Sequence, residues 1–287
     1  MTRTKKAFLV IVILILLTFG VSMLSGIFGR GIGGRIGIVD IEGMITDGRD
    51  AMEDIVKFKE DDSIRGVIVR INSPGGSVGP SQEIFQELKK LGVKKKVYVS
   101  ASAVCASGGY YIASAAEKIY VNPSTITGSI GVIMEQMVVE DLLKKVGLQS
   151  NTMKAGKFKD VGSPFRKMQE EERAYFQQIL DTIHNQFIQD VALGRKMPVE
   201  KVRSLSDGRI YTGTQAKELG LVDSIGTFYD AVDDMKKSLN IKGKPMLVRG
   251  KRPFSFLKLL ISSVADTIIS RYDPSRIPDS YRLVPGY

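Results

Sequence analysis

The chain has 287 residues, 43% of them hydrophobic, with a formal net charge of +10, a composition able to bury a core and unlike that of a disordered chain. One cysteine and one histidine, Cys105 and His184, exclude an intrachain disulfide framework and a zinc site of the usual three or four Cys/His ligands. Carboxylate-bound Mg²⁺ or Ca²⁺ stays open on composition but has no motif here, and no cofactor is expected.

In chain order, the flank 1–6 carries Arg3, Lys5 and Lys6 and precedes 22 uncharged residues, Ala7 to Phe28. As a helix rising about 1.5 Å per residue, that run spans a hydrocarbon core of about 30 Å, and the spacing predicts a single-pass transmembrane anchor at 7–28. The basic flank places the N-terminus in the cytoplasm and the remainder outside. A cleaved signal peptide is the alternative, against which stand the length of the run and the lack of a small-x-small cleavage site. A glycine-rich linker, 29–35, follows. Its Gly31-Ile32-Gly33 lacks the third glycine of a dinucleotide loop, because Ile36 stands there.

From 36 to 250, strand-like and helix-like runs alternate. Ile36–Ile45, Gly66–Asn72, Lys96–Ser100 and Lys118–Val121 read as strands, with helices at 50–60, 80–91 and 107–116 between them. A long loop, Asn122–Ile133, leads to a helix at 139–146 and then a long helix from about Gln169 to Leu193. Shorter elements follow: helices near 198–205, 213–219 and 227–239, a strand at Arg209–Tyr211, and Leu221–Ser224. This alternation predicts an α/β fold with functional loops at strand ends.

Two glycine-flanked turns, Ser73-Pro74-Gly75-Gly76 and Ala106-Ser107-Gly108-Gly109, each lie between a strand and a helix. Acyl transfer needs a nucleophile beside N–H donors for the developing oxyanion, and glycine lets backbone approach a substrate carbonyl. Ser107 is the candidate nucleophile. A Ser-His-Asp triad would depend on His184, which sits within a long polar helix and is expected to be a surface or satisfied histidine. Cys105 is expected to pack as a small hydrophobe. The remaining base is a desolvated lysine, since burial lowers the ordinary value near ~10.4 by up to ~3–5 units. Lys157 and Lys159 both qualify, and the residues alone do not choose between them.

The ordered set Asn72-Ser-Pro-Gly-Gly76, Ala106-Ser-Gly-Gly-Tyr-Tyr111, Thr127-Gly-Ser-Ile-Gly-Val132, Gly156-Lys-Phe-Lys-Asp160 and Asp207-Gly-Arg-Ile-Tyr-Thr212 resembles the signal peptide peptidase A family of serine-lysine proteases, in its half-length bacterial form. The likeness covers roughly 36–240. It implies a crotonase/Clp-protease-like ββα superhelical fold, Ser107 as nucleophile, Lys159 as base, Ser129 orienting Lys159, and Gly76 and Gly108 as the oxyanion hole. It also implies an octameric ring whose sites are shared between adjacent subunits, and remnant signal peptides as substrates of a bacterial inner-membrane enzyme with an extracytoplasmic catalytic domain. Two rivals remain at this stage: a crotonase-like acyl-thioester enzyme and a non-enzymatic membrane scaffold.

Beyond the domain, residues 236–271 hold nine Lys/Arg against one acid, Asp266. In a tethered chain, anionic lipid is a more natural counterion than nucleic acid, although a solvated basic tail would read the same way. The tail 251–287 places Leu257, Leu260, Ile261, Val264 and Ile268 at helical spacing, an amphipathic pattern suited to packing on the domain, on a membrane or on another subunit.

Overall fold

The computed structural model describes Thr18 and residues 34–250. The expected anchor, 7–28, lies outside these residues apart from Thr18, which is helical, as does the whole tail 251–287. Among the described residues, no helix is long and apolar enough to cross a membrane.

Three parallel strands form the centre of the sheet: β1 (Arg35–Glu42), β2 (Ile64–Ser73) and β3 (Lys96–Ala106). Between them run α1 (Arg49–Glu60) and α2 (Val78–Lys94). α1 buries Ile55 and Phe58, and α2 buries Ile84, Phe85, Leu88 and Leu91, at spacings that keep each set on one helical face. Because successive strand residues point to opposite sides, Val39, Val67, Val69, Val97 and Val99 enter the larger apolar cluster with these helices. Ile36, Ile38, Ile68 and Tyr98 enter a second cluster. That cluster is closed by Ala231, Val232 and Met235 of α8 (Phe228–Ser238). Cover on both faces explains the nearly continuous apolar run of β2.

β3 divides the sheet. Its first half pairs in parallel with β4 (Lys118–Val121), and its last three residues, Val104 to Ala106, pair with β5 (Ile126–Gly128). β5 pairs antiparallel with β6 (Ile210–Thr212), β4 pairs with β7 (Ser224–Ile225), and β8 (Met246–Arg249) adds to β1. The remaining helices are α3 (Gly108–Ala113), α4 (Glu140–Lys145), α5 (Glu170–Arg195), α6 (Val199–Ser204) and α7 (Gly213–Leu219). α5 buries Phe187, Ile188, Val191 and Ala192 at its C-terminal end and leaves most of its first half exposed.

The α/β class is as the sequence predicts, with four local differences. β1 ends at Glu42 rather than Ile45, β3 runs six residues past Ser100, and two strands, β5 and β8, occupy stretches assigned no strand.

Candidate active site

The site begins where β2 and β3 part. Ile71 pairs with Ala101, but Ser73 pairs with Cys105, so β3 carries a bulge that turns its end toward β5. The Asn72 side chain bridges the bulge, its Oδ1 accepting from Val104 N at 3.3 Å. Ser73, fully buried, accepts from Gly75 N at 3.1 Å. Gly75 then adopts φ +102°, and a Cβ there would lie 2.7 Å from Ser107 Cβ and 2.8 Å from Gly108 N. Only glycine fits both the dihedral and the space.

The next peptide plane is pinned from outside. Ile45 N donates to Gly75 O at 2.9 Å, and Ser77 N donates to Ile45 O at 2.7 Å. In a trans peptide the N–H opposes the C=O, so the Gly76 N–H faces away from Ile45. A Cβ on Gly76 would sit 2.2 Å from Ile45 O, which makes that close approach possible for glycine alone.

Ser107 lies between β3 and α3 with φ 50° and ψ −123°. These are the angles of the first central residue of a type II′ turn, a conformation that costs a non-glycine residue about 1–3 kcal/mol. Its N–H is held by Gly128 O at 2.9 Å, and its C=O accepts from Tyr111 N at 2.8 Å. The Gly108 N–H therefore faces out of the helix's N-terminal end. A Cβ on Gly108 would be 3.4 Å from Gly76 N, so the two amides converge. Among the described residues neither N–H has an acceptor.

Ser107, Gly76 and Gly108 line one cavity of about 150 Å³, with Val78, Val132, Ile133, Ile183 and Phe187 forming apolar walls and Ser81, Gln82 and Tyr111 completing it. The structure thus brings three of the five expected site residues together. Ser129 adjoins them, because Ala106 pairs with Gly128; it is half-buried at φ 52°, with its N–H on Arg209 O at 2.9 Å. Lys159 does not line this cavity. It lies exposed in the turn 156–160, its N–H donating to Gly156 O at 3.2 Å. Lys157 is engaged elsewhere, pairing with Glu171 at 2.5 Å.

His184 is also absent from the cavity, although Ile183 and Phe187 of the same helix reach it. It is half-buried, and among the described residues its Nε2 is enclosed without a hydrogen-bond partner. This corrects the expectation of a surface or satisfied histidine: α5 turns that position inward where the described residues supply no partner. Cys105 is fully buried, and burial pushes its thiol up to about 12. It is a packed, unreactive group at neutral pH.

Sequence reasoning missed Ile45, whose backbone orients the Gly75–Gly76 peptide, because Ile36–Ile45 reads as one strand. It also missed Ser81, buried in the cavity wall with Oγ donating to Ser77 O at 2.9 Å. The spacing of Ser77 and Ser81, one helical turn apart, was the available signal. A hydroxyl on a strained turn beside two convergent amides is the geometry of nucleophilic acyl transfer.

Comparison with known proteins agrees. The model of peptidase family S49 matches residues 89–242, and that of Clp protease matches 36–127; the mixed sheet fits a Clp-protease-like fold. A Synechocystis protein named for protease activity is 45% identical over 198 residues, 69% of this chain and 72% of its own length. An Enterococcus faecium protein named for signal peptide peptidase SppA is 43% identical over 184 residues, 63% of this chain and 53% of the relative. The chloroplastic serine protease SPPA of Arabidopsis thaliana is 34% identical over 221 residues, 76% of this chain but 33% of the plant protein. A family match over more than half the chain, which takes in the strained Ser107 and Gly108, places this protein in peptidase family S49 as a serine-type peptidase.

Proposed function

We propose that the protein is a membrane-anchored serine endopeptidase that cleaves apolar peptides, remnant signal peptides above all, through Ser107 and Lys159. The observation that carries this reading is Ser107 at φ 50° between the Gly76 and Gly108 amides. In the proposed cycle Ser107 Oγ attacks the peptide carbonyl carbon and its proton passes to Lys159 Nζ, while the Gly76 and Gly108 N–H groups hold the oxyanion. The C–N bond then breaks, the lysine proton goes to the leaving amine, and an acyl ester remains on Ser107. Water, deprotonated by Lys159, releases the acid. Ser129 holds Lys159 in place.

The apolar cavity suits one small or medium apolar side chain, and the name of the Enterococcus relative points to signal peptides as the natural class. Because Lys159 lies outside the cavity of its own chain, a lysine from an adjacent copy completes each site, in a closed ring of eight. The segment between Gly131 and Lys167 supports this, exposing Ile133, Met137, Leu142, Val146, Leu148 and Met153, a concentration of apolar side chains suited to an interaction surface. The reading includes the crotonase-like ββα superhelix, the anchor at 7–28, a catalytic domain outside the inner membrane, and lipid contact through the basic tail.

The test is hydrolysis of an apolar peptide together with labelling by a fluorophosphonate. Ser107→Ala and Lys159→Ala are expected to lose turnover while remaining folded, and Cys105→Ala to keep both turnover and labelling. Full turnover in Lys159→Ala would falsify the assignment of the base.

A further inference from the structure

The turn that carries Lys159 is tied down mainly by charge, with one ring contact, Phe158 on Tyr175 of α5, beside it. Asp160, the next residue, is the hub. Lys154 pairs with its Oδ1 and donates to Lys157 O at 3.0 Å. Arg166 Nε donates to Asp160 Oδ2 at 2.7 Å. The same guanidinium reaches in the other direction, donating to Glu172 Oε2 at 2.8 Å and Oε1 at 2.5 Å. Glu172 is 4% exposed and also accepts from Gln169 N at 2.9 Å, completing the capping box that starts α5.

One planar group therefore bridges two carboxylates, the first covalently adjacent to Lys159 and the second built into a helix whose far end is anchored in the core by Phe187, Ile188 and Val191. A forked guanidinium can hold both at once, whereas an ammonium is a single point of attachment. Hydrogen bonding to Arg166, assisted at Asp160 by Lys154, keeps both carboxyls below the usual carboxylate range, so both ends of the bridge are charged near neutral pH.

We propose that Arg166 is a positioning residue for the reaction: by joining Asp160 to Glu172 it fixes the backbone of Lys159 to the rigid body of its own copy, whichever copy's serine that lysine serves. The inference rests on Lys159 being the general base. Without the bridge, the turn 154–160 retains the Lys154 contact, the exposed Lys157–Glu171 pair and the ring contact of Phe158 with Tyr175 at 5.3 Å between centroids, none of which fixes the Asp160 side of the turn to the buried Glu172, and the amine samples positions away from the serine. Misplacement of a reacting group by about 1 Å costs on the order of 10²-fold in rate.

The experiment uses the full chain. Arg166→Ala is expected to lower kcat and the rate of fluorophosphonate labelling of Ser107 by about 10- to 100-fold, with KM changed little because the cavity that binds substrate is untouched. Arg166→Lys, able to hold one carboxylate, is expected to recover part of that loss. Asp160→Asn, which keeps the shape of the turn, should mimic Arg166→Ala, and Arg173→Ala, at an exposed position of α5, should match the parent. Unchanged kcat in Arg166→Ala overturns the proposal. So does a loss in both Arg166→Ala and Asp160→Asn that is fully explained by a smaller folded fraction. If Lys159→Ala itself retains full rate, the base assignment fails and this inference with it; if Lys159→Ala is inactive and Arg166→Ala is not, this inference alone fails.

Discussion

Replacing Gly108 by alanine tests the oxyanion geometry with one carbon. The new Cβ would lie 2.5 Å from Ser81 Oγ and 3.3 Å from Ser81 Cβ. Gly108 does not need a left-handed backbone, so the penalty comes from contact alone. Ser81 is 2% exposed and its hydroxyl holds Ser77 O at 2.9 Å, which prevents it from swinging into solvent without losing that bond. Overpacking of this kind costs about 1–3 kcal/mol, and in a domain of this size each kcal/mol lowers the melting midpoint by roughly 2–4 °C. The backbone shift that relieves the contact would move the Gly108 N–H off the position proposed for the oxyanion, and loss of one such donor lowers kcat by about 10²–10³-fold. KM should change little, since the donor acts on charge that develops only in the transition state. Peptide hydrolysis and thermal melting of Gly108→Ala, Ser81→Gly and the double variant measure the coupling. The double variant should recover part of both losses, because the two sites share one space. Parental kcat in Gly108→Ala, or strictly additive effects in the double variant, would refute the geometry.

The strain at Ser107 predicts that Ser107→Gly melts above Ser107→Ala: relief of about 1–3 kcal/mol outweighs the roughly 0.5–1 kcal/mol entropic disadvantage of glycine, and an equal or lower midpoint would show that the turn is relaxed. The Glu172 carboxyl, held down to about 2 by Arg166 and the Gln169 N–H, adds stability that is present above its unfolded value of about 4.3 and disappears as pH falls from there toward 2. Melting midpoints should therefore fall more steeply between about pH 5 and 2 in the parent than in Glu172→Gln, and parallel curves would rule out that contribution. If sites are shared between copies, mixing and reassembling inactive Ser107→Ala with inactive Lys159→Ala should restore about a quarter of the parental activity, the fraction of interfaces that pair an intact serine with an intact lysine at random; no recovery would mean that each site is built within one chain.

How much of this was legible in the sequence depended on the range of the interaction involved. β1, β2 and the first half of β3 announce themselves as runs of Ile and Val. The second half of β3, Ala-Ser-Ala-Val-Cys-Ala, contains mostly small residues and a bulge, and it is a strand because β5 pairs with it. β5 itself has three residues, and β8 exists through its pairing with β1, two hundred residues away in sequence. Ser107 could be found from the glycines beside it, since the chemistry there is local. The choice of Lys159 over Lys157 came from family resemblance, and the structure adds that Lys157 is paired with Glu171. The cavity walls from α5, Ile183 and Phe187, and the Ile45 contact that aims the Gly76 amide are tertiary facts that no pattern near Ser107 encodes.

The two halves of the proposed machinery differ in how they are held. The nucleophile and its amides are fixed by strand pairing, by Ser73 and Ile45, and by glycines with no room for a side chain, so this half is complete in one chain. Lys159 instead sits on a stretch whose apolar side chains are exposed and whose shape depends on ion pairs. Exposed apolar surface of that extent needs a cover, and a lysine base needs shelter from water. In the proposed ring a single event supplies both: docking a neighbour buries the patch and desolvates the amine. An unassembled copy would then hold a strained serine with nothing to take its proton, which keeps an endopeptidase idle until it has reached its partners.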